Sequence, residues 1–176
     1  MDPAIRIRAL SADEIPAAAP ALAEVLADCV DGGASVSFMA DVPLRRLEAF
    51  WREVGESARL DRRAVLAAER DGAIVGVVQV IPVGIDNQPH RAEIAKMLVH
   101  RRARRLGVGA ALMAAAEDAA RAMGRTLLTL DTVTDGDGER LYRRMGWTFA
   151  GTIPGYALFP DGRPASTSYF YKQIAP

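Results

Sequence analysis

The sequence predicts an α/β fold, a mixed and mostly antiparallel central sheet with helices on both faces, and three observations carry that expectation. A strand, an arginine-rich glycine turn and a helix follow one another without a break from Ala92 to Met123. Two short apolar runs, Val65 to Glu69 and Ala73 to Ile81, flank the hairpin-type dipeptide Asp71-Gly72. Around them strand and helix periodicities alternate in the order β-α-α-β-β-β-α-β-α-β-β.

In chain order, Ile5 to Arg8 alternates as a half-buried strand does, and Ser11 with Glu14 forms a capping-box signature. Pro16 and Pro20 leave two alternatives for the next segment: a single turn and then a break, or a regular helix beginning near Pro20 and running through Leu22, Val25, Leu26 and Cys29. Asp31-Gly32-Gly33 stops it, and Gly32 to Ala40 has no helical period. Leu44, Leu47, Phe50, Trp51 and Val54 recur at helical spacing, giving an amphipathic second helix whose aromatic stripe is core. After the hairpin, Glu93 to Val99 reads as a buried strand. Leu112, Ala115, Ala116, Ala119 and Met123 mark the next helix, which Gly124 closes. Leu127 to Asp131 is a strand parallel to Glu93–Val99, because a helix crosses between them. Asp137 to Met145 is a helix ended by Gly146, and Trp147 to Gly151 and Ser168 to Lys172 are the last strands.

At 176 residues, one domain with an adequate core is the expectation. Net charge zero argues against a nucleic-acid-binding protein, where a basic excess is expected. Cys29 is the only cysteine, so no internal disulfide or cysteine metal cluster forms, and a reducing cytoplasm is implied. The first ten residues lack the apolar run of a signal peptide, and no stretch reaches the length of a membrane span. A cytoplasmic protein is therefore expected, without a membrane or nucleic-acid partner, as a monomer or homodimer. His90 and His100 lack partners at metal-ligand spacing, so no metal is expected.

The glycine turn is where chemistry concentrates. A strand that re-enters as a helix through Arg104-Arg105-Leu106-Gly107-Val108-Gly109 leaves the first helical N–H groups pointing at one spot. That spot suits an anion, since the helix end adds partial positive charge and glycines let a phosphate approach the backbone. Arg101, Arg102, Arg104 and Arg105 add guanidinium forks that match phosphate oxygens. Two carboxylates, Glu93 and Asp131, stand in otherwise apolar strands, where burial would raise their basicity. Either could instead be structural, Glu93 paired with Lys96 or Asp131 capping a turn.

The pattern Arg-x-x-Gly-x-Gly after the strand IAKMLV and before an Ala-rich helix resembles the acetyl-coenzyme A pyrophosphate loop of the GNAT acetyltransferase superfamily. LLTLDTVTDGDGERLYRRMGWTFAG resembles that family's next strand, its Leu-Tyr helix and its Gly-aromatic step. The resemblance spans roughly Ala73 to the C-terminus and implies a GNAT-like acyl-CoA N-acyltransferase fold with acetyl-CoA as cosubstrate. It implies that the main chain of Met97, Leu98 and Val99 meets pantetheine, and that Arg104, Arg105, Leu106, Gly107, Val108, Gly109 and Ala110 seat the pyrophosphate. Asp135 stands where many members have an asparagine on the pantetheine arm, and Gly138 where alanine is usual. Tyr142 matches the tyrosine that protonates the leaving thiolate. A free phenol near pKa about 10 and a thiol near about 8.5 are so close that transfer would cost only about 2 kcal/mol.

At finer grain, GGASVSFMAD, RAEIAKMLV, LDT and PGYALFPDGR resemble the tabtoxin-resistance branch, in which the residues matching Glu93, Asp131 and Tyr142 form the catalytic group. The implied reaction moves acetyl to an amine or hydroxyl of a small molecule, an amino-acid-like toxin or antibiotic. Gly33, Ser35 and Phe38 in the loop and Tyr156 in the PGY segment become the substrate candidates. Two other readings compete. A non-catalytic acyl-CoA-binding regulatory module would keep the fold. A NAD or FAD site is mimicked by strand, Gly107-x-Gly109, helix and Asp131, but it lacks the third glycine, where Leu112 stands.

Overall fold

A computed structural model describes residues 4–175. Seven strands form one sheet in the order β1-β2-β3-β4-β5-β7-β6, comprising β1 (Ile5–Leu10), β2 (Ala64–Arg70), β3 (Ala73–Pro82), β4 (Arg91–Val99), β5 (Leu127–Val133), β6 (Thr148–Leu158) and β7 (Pro164–Gln173). Every neighbouring pair is antiparallel except β4 with β5. Helices α1 (Glu14–Asp31) and α2 (Leu44–Asp61) cover one face, burying Leu22, Leu26, Leu47 and Trp51 against Val65, Ala67, Val77 and Leu98. Helices α3 (Val108–Ala122) and α4 (Asp137–Arg144) cover the other, with Leu112, Met113, Ala116 and Tyr142 against Val78, Ile94, Leu128 and Phe170. The mixed, mostly antiparallel sheet between helical layers is the one expected. No helix among the described residues is long and apolar enough to cross a membrane.

The first helix differs from both alternatives read in the sequence, since α1 runs unbroken with Pro20 inside it. Its start is the capping box: Ser11 Oγ accepts the Glu14 N–H at 3.2 Å and the Glu14 carboxylate accepts the Ser11 N–H at 2.8 Å. Pro16 falls in the opening turn, where its missing N–H matters little. Pro20 costs about 3 kcal/mol in a helix interior, whereas burying Ile15, Leu22 and Leu26 completely gains about 1.5–3 kcal/mol each. Packing therefore overrides the proline. The last strands are also longer than the periodicity suggested, because β6 carries an irregularity between Ile153 and Ala157 that hides its alternation.

What places the site is how closely α3 lies on the sheet. A Cβ added to Gly76 would stand 3.0 Å from Leu112 Cδ1 and 3.1 Å from both Val108 Cγ1 and the Leu98 carbonyl oxygen. Gly76→Ala is expected to lower stability by about 1–3 kcal/mol through overpacking, read by urea unfolding. Parental stability would show that this spacing is not fixed at Gly76.

Candidate active site

The strand-to-helix turn is pinned before it can present anything. After β4, Arg101–Ala103 forms a 3-10 turn, Arg104 is extended, and Arg105 (φ 65°) and Gly107 (φ 84°) are left-handed before α3 begins. The buried Asp28 of α1 accepts the Arg101 N–H at 2.7 Å and its Nε at 2.8 Å. Burial alone would raise the Asp28 carboxyl, but these two bonds and the Arg101 charge bring it below its ordinary value. His100 Nδ1 accepts the Arg102 N–H at 3.2 Å, Arg102 Nη2 donates to the Ile74 carbonyl at 3.2 Å, and Arg104 Nε donates to the Val99 carbonyl at 3.3 Å. Arg101 and Arg102 are thus structural struts, leaving the exposed Arg104 and Arg105 as the cations at the mouth. Asp137, at the head of α4, is held below its ordinary range first by Arg140 and further by Arg105 and Arg104.

The first ladder bond of α3 runs from the Ala111 N–H to the Gly107 carbonyl at 3.1 Å. Among the described residues the N–H groups of Val108, Gly109 and Ala110 donate to no protein acceptor, so the donors an anion needs are available. Acetyl-CoA's pyrophosphate fits this turn. Gly107 is required by its left-handed backbone. Gly109 has a second reason for being glycine, because an added Cβ would lie 3.1 Å from Leu141 Cδ2 of α4.

Beside the turn the sheet parts. β4 and β5 pair only from Arg91–Leu127 to Glu93–Thr129, beyond which Ile94 to Val99 and Leu130 to Val133 run on without pairing to each other. β4 also carries an irregularity opposite β3 between Val77 and Gln79, with Lys96 left-handed at φ 49°. Leu98 is buried in the α1/α2 layer, while Met97 and Val99 pack toward α3, so main chain rather than side chain faces the parting. The Val99 carbonyl is partly engaged already, by Arg104 Nε and by Cys29 Sγ at 3.7 Å.

Asp131 and Glu93 project to the face opposite α3, and Tyr169 stands directly across from Asp131 in the β5–β7 ladder. Asp131 is open to water yet its carboxyl is raised, chiefly by surrounding protein, with Lys96 pulling it partly back. Glu93 is exposed, so the burial anticipated for it is absent. Tyr142 is buried at 5% exposure, its ring 6.0 Å from Trp147 and 6.2 Å from Phe170. Burial and the Asp131 charge push its phenol far above the ordinary value, which removes the near balance with a thiol that a free tyrosine would have. Asp135, left-handed at φ 61°, is exposed, and its main chain is fixed by Glu139 and Arg140.

The substrate candidates divide. Tyr156 meets Tyr169 edge-on with ring centroids 5.8 Å apart, and Tyr169 is pushed up to about 12, first by the Tyr156 hydroxyl and then by burial. Phe38 packs edge-on against Phe50 at 5.6 Å, beneath Lys96. Ser35 instead donates to the Leu158 carbonyl at 2.7 Å, and Gly33 lines a separate cleft of about 390 Å³ with Asp31, Asp41, Phe159 and Arg163. The serine that reaches the carboxylate side is Ser37, whose Oγ lies 2.9 Å from Lys96 Nζ. Lys96 and Tyr169 were not among the sequence candidates.

A sheet parted next to an anion-seating helix start is an acyl-CoA-binding architecture, and the comparisons agree. The Acetyltransferase (GNAT) family matches residues 34–147, and the chain belongs to that family. Its fold is shared with the ribosomal-protein-alanine N-acetyltransferase of Brucella melitensis (23% identity, TM-score 0.77, covering 96% of this chain and 99% of that one). It is shared with yncA of Salmonella typhimurium with its cofactor acetyl-CoA (21%, TM-score 0.79, 98% and 95%). A GCN5-related N-acetyltransferase of Kribbella flavida is likewise similar (20%, TM-score 0.78, 97% and 98%). The protein is thus an acetyl-CoA-dependent acetyltransferase, and the dinucleotide reading falls, since its doubly wound parallel sheet is not the one found.

Asp28 ties α1 to the glycine turn through Arg101, and its lowered carboxyl gives the sign of its effect. The stabilisation is present above the unfolded value near about 4 and is lost as pH falls through the native value. Asp28→Asn is expected to cost about 2 kcal/mol at neutral pH and to weaken acetyl-CoA binding, with the stability gap closing in acid. Denaturant titrations at several pH values and calorimetry with acetyl-CoA check both; a gap constant with pH would remove Asp28 from this role.

Proposed function

We propose that the chain is an N-acetyltransferase that moves the acetyl group of acetyl-CoA to an amine of a small molecule by direct attack. Acetyl-CoA supplies an activated acetyl thioester. The main chain of Met97 and Leu98, with the amides of Val108 to Ala110 and the guanidinium groups of Arg104 and Arg105, would hold it along the parting. Asp131 accepts the proton from the acceptor's nitrogen, Glu93 helps to hold the acceptor, and the Tyr142 hydroxyl donates a hydrogen bond at the departing sulfur. The observation that carries this reading is that β4 and β5 part beyond the Glu93–Thr129 pair beside the amides of Val108 to Ala110, with Asp131, its carboxyl raised, on the unpaired end of β5. Nitrogen as the accepting atom is supported by the name of the Brucella neighbour, a ribosomal-protein-alanine N-acetyltransferase. The likeness of GGASVSFMAD and PGYALFPDGR to the tabtoxin-resistance branch supports an amino-acid-like toxin or antibiotic as acceptor.

Because Asp131 is raised, activity is expected to be lost on acidification above the ordinary aspartate value of about 3.9. Asp131→Asn should remove that acid limb and lower kcat/KM by about 10²–10⁴-fold, and Glu93→Gln much less, in coenzyme A release assays with a panel of small amines. Should Glu93→Gln abolish the limb instead, the base is Glu93. Tyr142→Phe keeps the packed ring and should lower kcat about 10-fold, the worth of one hydrogen bond, at unchanged acetyl-CoA affinity. Tight acetyl-CoA binding with no turnover on any amine, and no effect of Tyr142→Phe, would establish a regulatory acyl-CoA-binding module in its place.

A further inference from the structure

Lys96 has an orientation that strand alternation would not give it. Ile94 faces the α3 core and Ala95 the opposite side, so in an unbroken strand Lys96 would point back into the α3 core. The irregularity places both Lys96 and Met97 opposite Val78, leaves Lys96 left-handed at φ 49°, and sends its side chain to the α1/α2 side, where Ser37 and Phe50 are. A left-handed non-glycine residue in a strand is a costly conformation. What it achieves is an ammonium group on the same sheet face as Glu93 and Asp131, within reach of their charges.

That ammonium is incompletely satisfied. Of its three N–H donors, the structure accounts for one, to Ser37 Oγ at 2.9 Å, and among the described residues no carboxylate lies within 4.0 Å of Nζ. The Phe50 ring, 5.6 Å from Nζ, closes one side, with Phe38 edge-on behind it. Glu93 and Asp131 are near enough for their charges to act on Lys96, but they do not pair with it. Surrounding protein depresses the Lys96 ammonium, and the charges of Asp131 and Glu93 partly restore it. The cleft thus offers a cation with open donors at one end and two carboxylates with Tyr156 and Tyr169 at the other.

We propose that Lys96 anchors a carboxylate carried by the acceptor beside its reacting amine, with Ser37 as a second donor, so that the acceptor class is amino acids and amino-acid-like zwitterions. The charges of the acceptor then run opposite to those of the cleft: its carboxylate meets Lys96 and its nitrogen meets Asp131. A simple amine brings no acceptor to Lys96 and so forgoes the binding that this charge-assisted contact supplies. This inference rests on the acetyl-transfer reading of the same cleft.

The test compares matched acceptors, L-lysine against cadaverine and L-phenylalanine against phenethylamine, by coenzyme A release with wild type, Lys96→Met and Lys96→Arg. Wild type is expected to favour at least one amino acid over its partner amine by about 10–100-fold in kcat/KM. Lys96→Met should collapse that ratio, mainly through KM, and Lys96→Arg should restore part of it, while calorimetry shows acetyl-CoA affinity unchanged. Equal losses on both members of a pair, or a wild-type enzyme indifferent to the carboxylate, would overturn the anchor. If no acceptor turns over, calorimetric titration of the coenzyme A complex with the two amino acids separates the questions. Binding that Lys96→Met abolishes would keep the anchor and sink the acetyl-transfer reading, whereas no binding would overturn the anchor itself.

Discussion

The parting of β4 from β5 after the Glu93–Thr129 pair is the constraint on which the rest of the site depends. Two adjacent parallel strands that stop sharing hydrogen bonds leave main-chain groups that must be satisfied some other way. β3 and β7 go on pairing with the outer edges of the two strands, past the irregularity and along the whole of β5, and so hold them in place while their facing edges stay apart. What is left lies between α3 and α4, next to amides of Val108 to Ala110 that also have no protein acceptor among the described residues. Amides open to an anion and unpaired main chain of β4 therefore lie at the same end of the sheet. This placement makes the family's ligand physically sensible here, beyond the presence of its motif.

Charge is arranged around that groove with little direct pairing. Burial raises Asp131 and lowers Lys96, and each group's charge partly restores the other. A contact ion pair would have fixed both residues and quenched the basicity of the carboxylate. On the proposed mechanism, being held apart leaves Asp131 a usable base and Lys96 able to meet an acceptor's carboxylate. Contact pairs are used instead where rigidity is wanted, as where Asp28 grips Arg101 and Glu139 grips Arg143. The division between paired charges that hold the frame and unpaired charges that face the cleft is a physical criterion for separating structural from functional ionisable groups here.

How much of this is legible in the sequence depends on the range of the interactions involved. The capping box at Ser11, the Asp71-Gly72 hairpin and the glycine turn are decided within a few residues, so pattern alone locates them. The unbroken α1 escapes such a reading because tertiary burial overrides the local cost of Pro20. Lys96 escapes it because alternation assigns it to the wrong face once an extra residue enters β4, and nothing in AEIAKMLV marks that position. Tyr169 is a candidate only after β7 is known to lie beside β5, a pairing across some forty residues of chain. In the substrate loop the fold, not composition, distinguishes Ser35, spent on the Leu158 carbonyl, from Ser37 at Lys96.

Tyr142 shows how environment can change a role while keeping the residue. Near its ordinary pKa a tyrosine could hand its proton to a thiolate at little cost, but burial beneath Trp147 and Phe170 and the neighbouring Asp131 charge make the phenolate much less accessible. On the proposed mechanism a phenol so held keeps its proton and would act by donating a hydrogen bond, which is sufficient because a thiolate is a competent leaving group without full protonation. The surroundings also fix its direction: a Cβ on Gly138 would come within 2.7 Å of Thr132 Oγ1 and 3.4 Å of Tyr142 Cε2, so the helix start is packed against the ring. Glycine at this position, which would loosen an isolated helix, here permits the close packing that orients the hydroxyl. On the proposed mechanism the tyrosine's contribution is preorganisation, and the proton that matters is the one Asp131 removes from the acceptor.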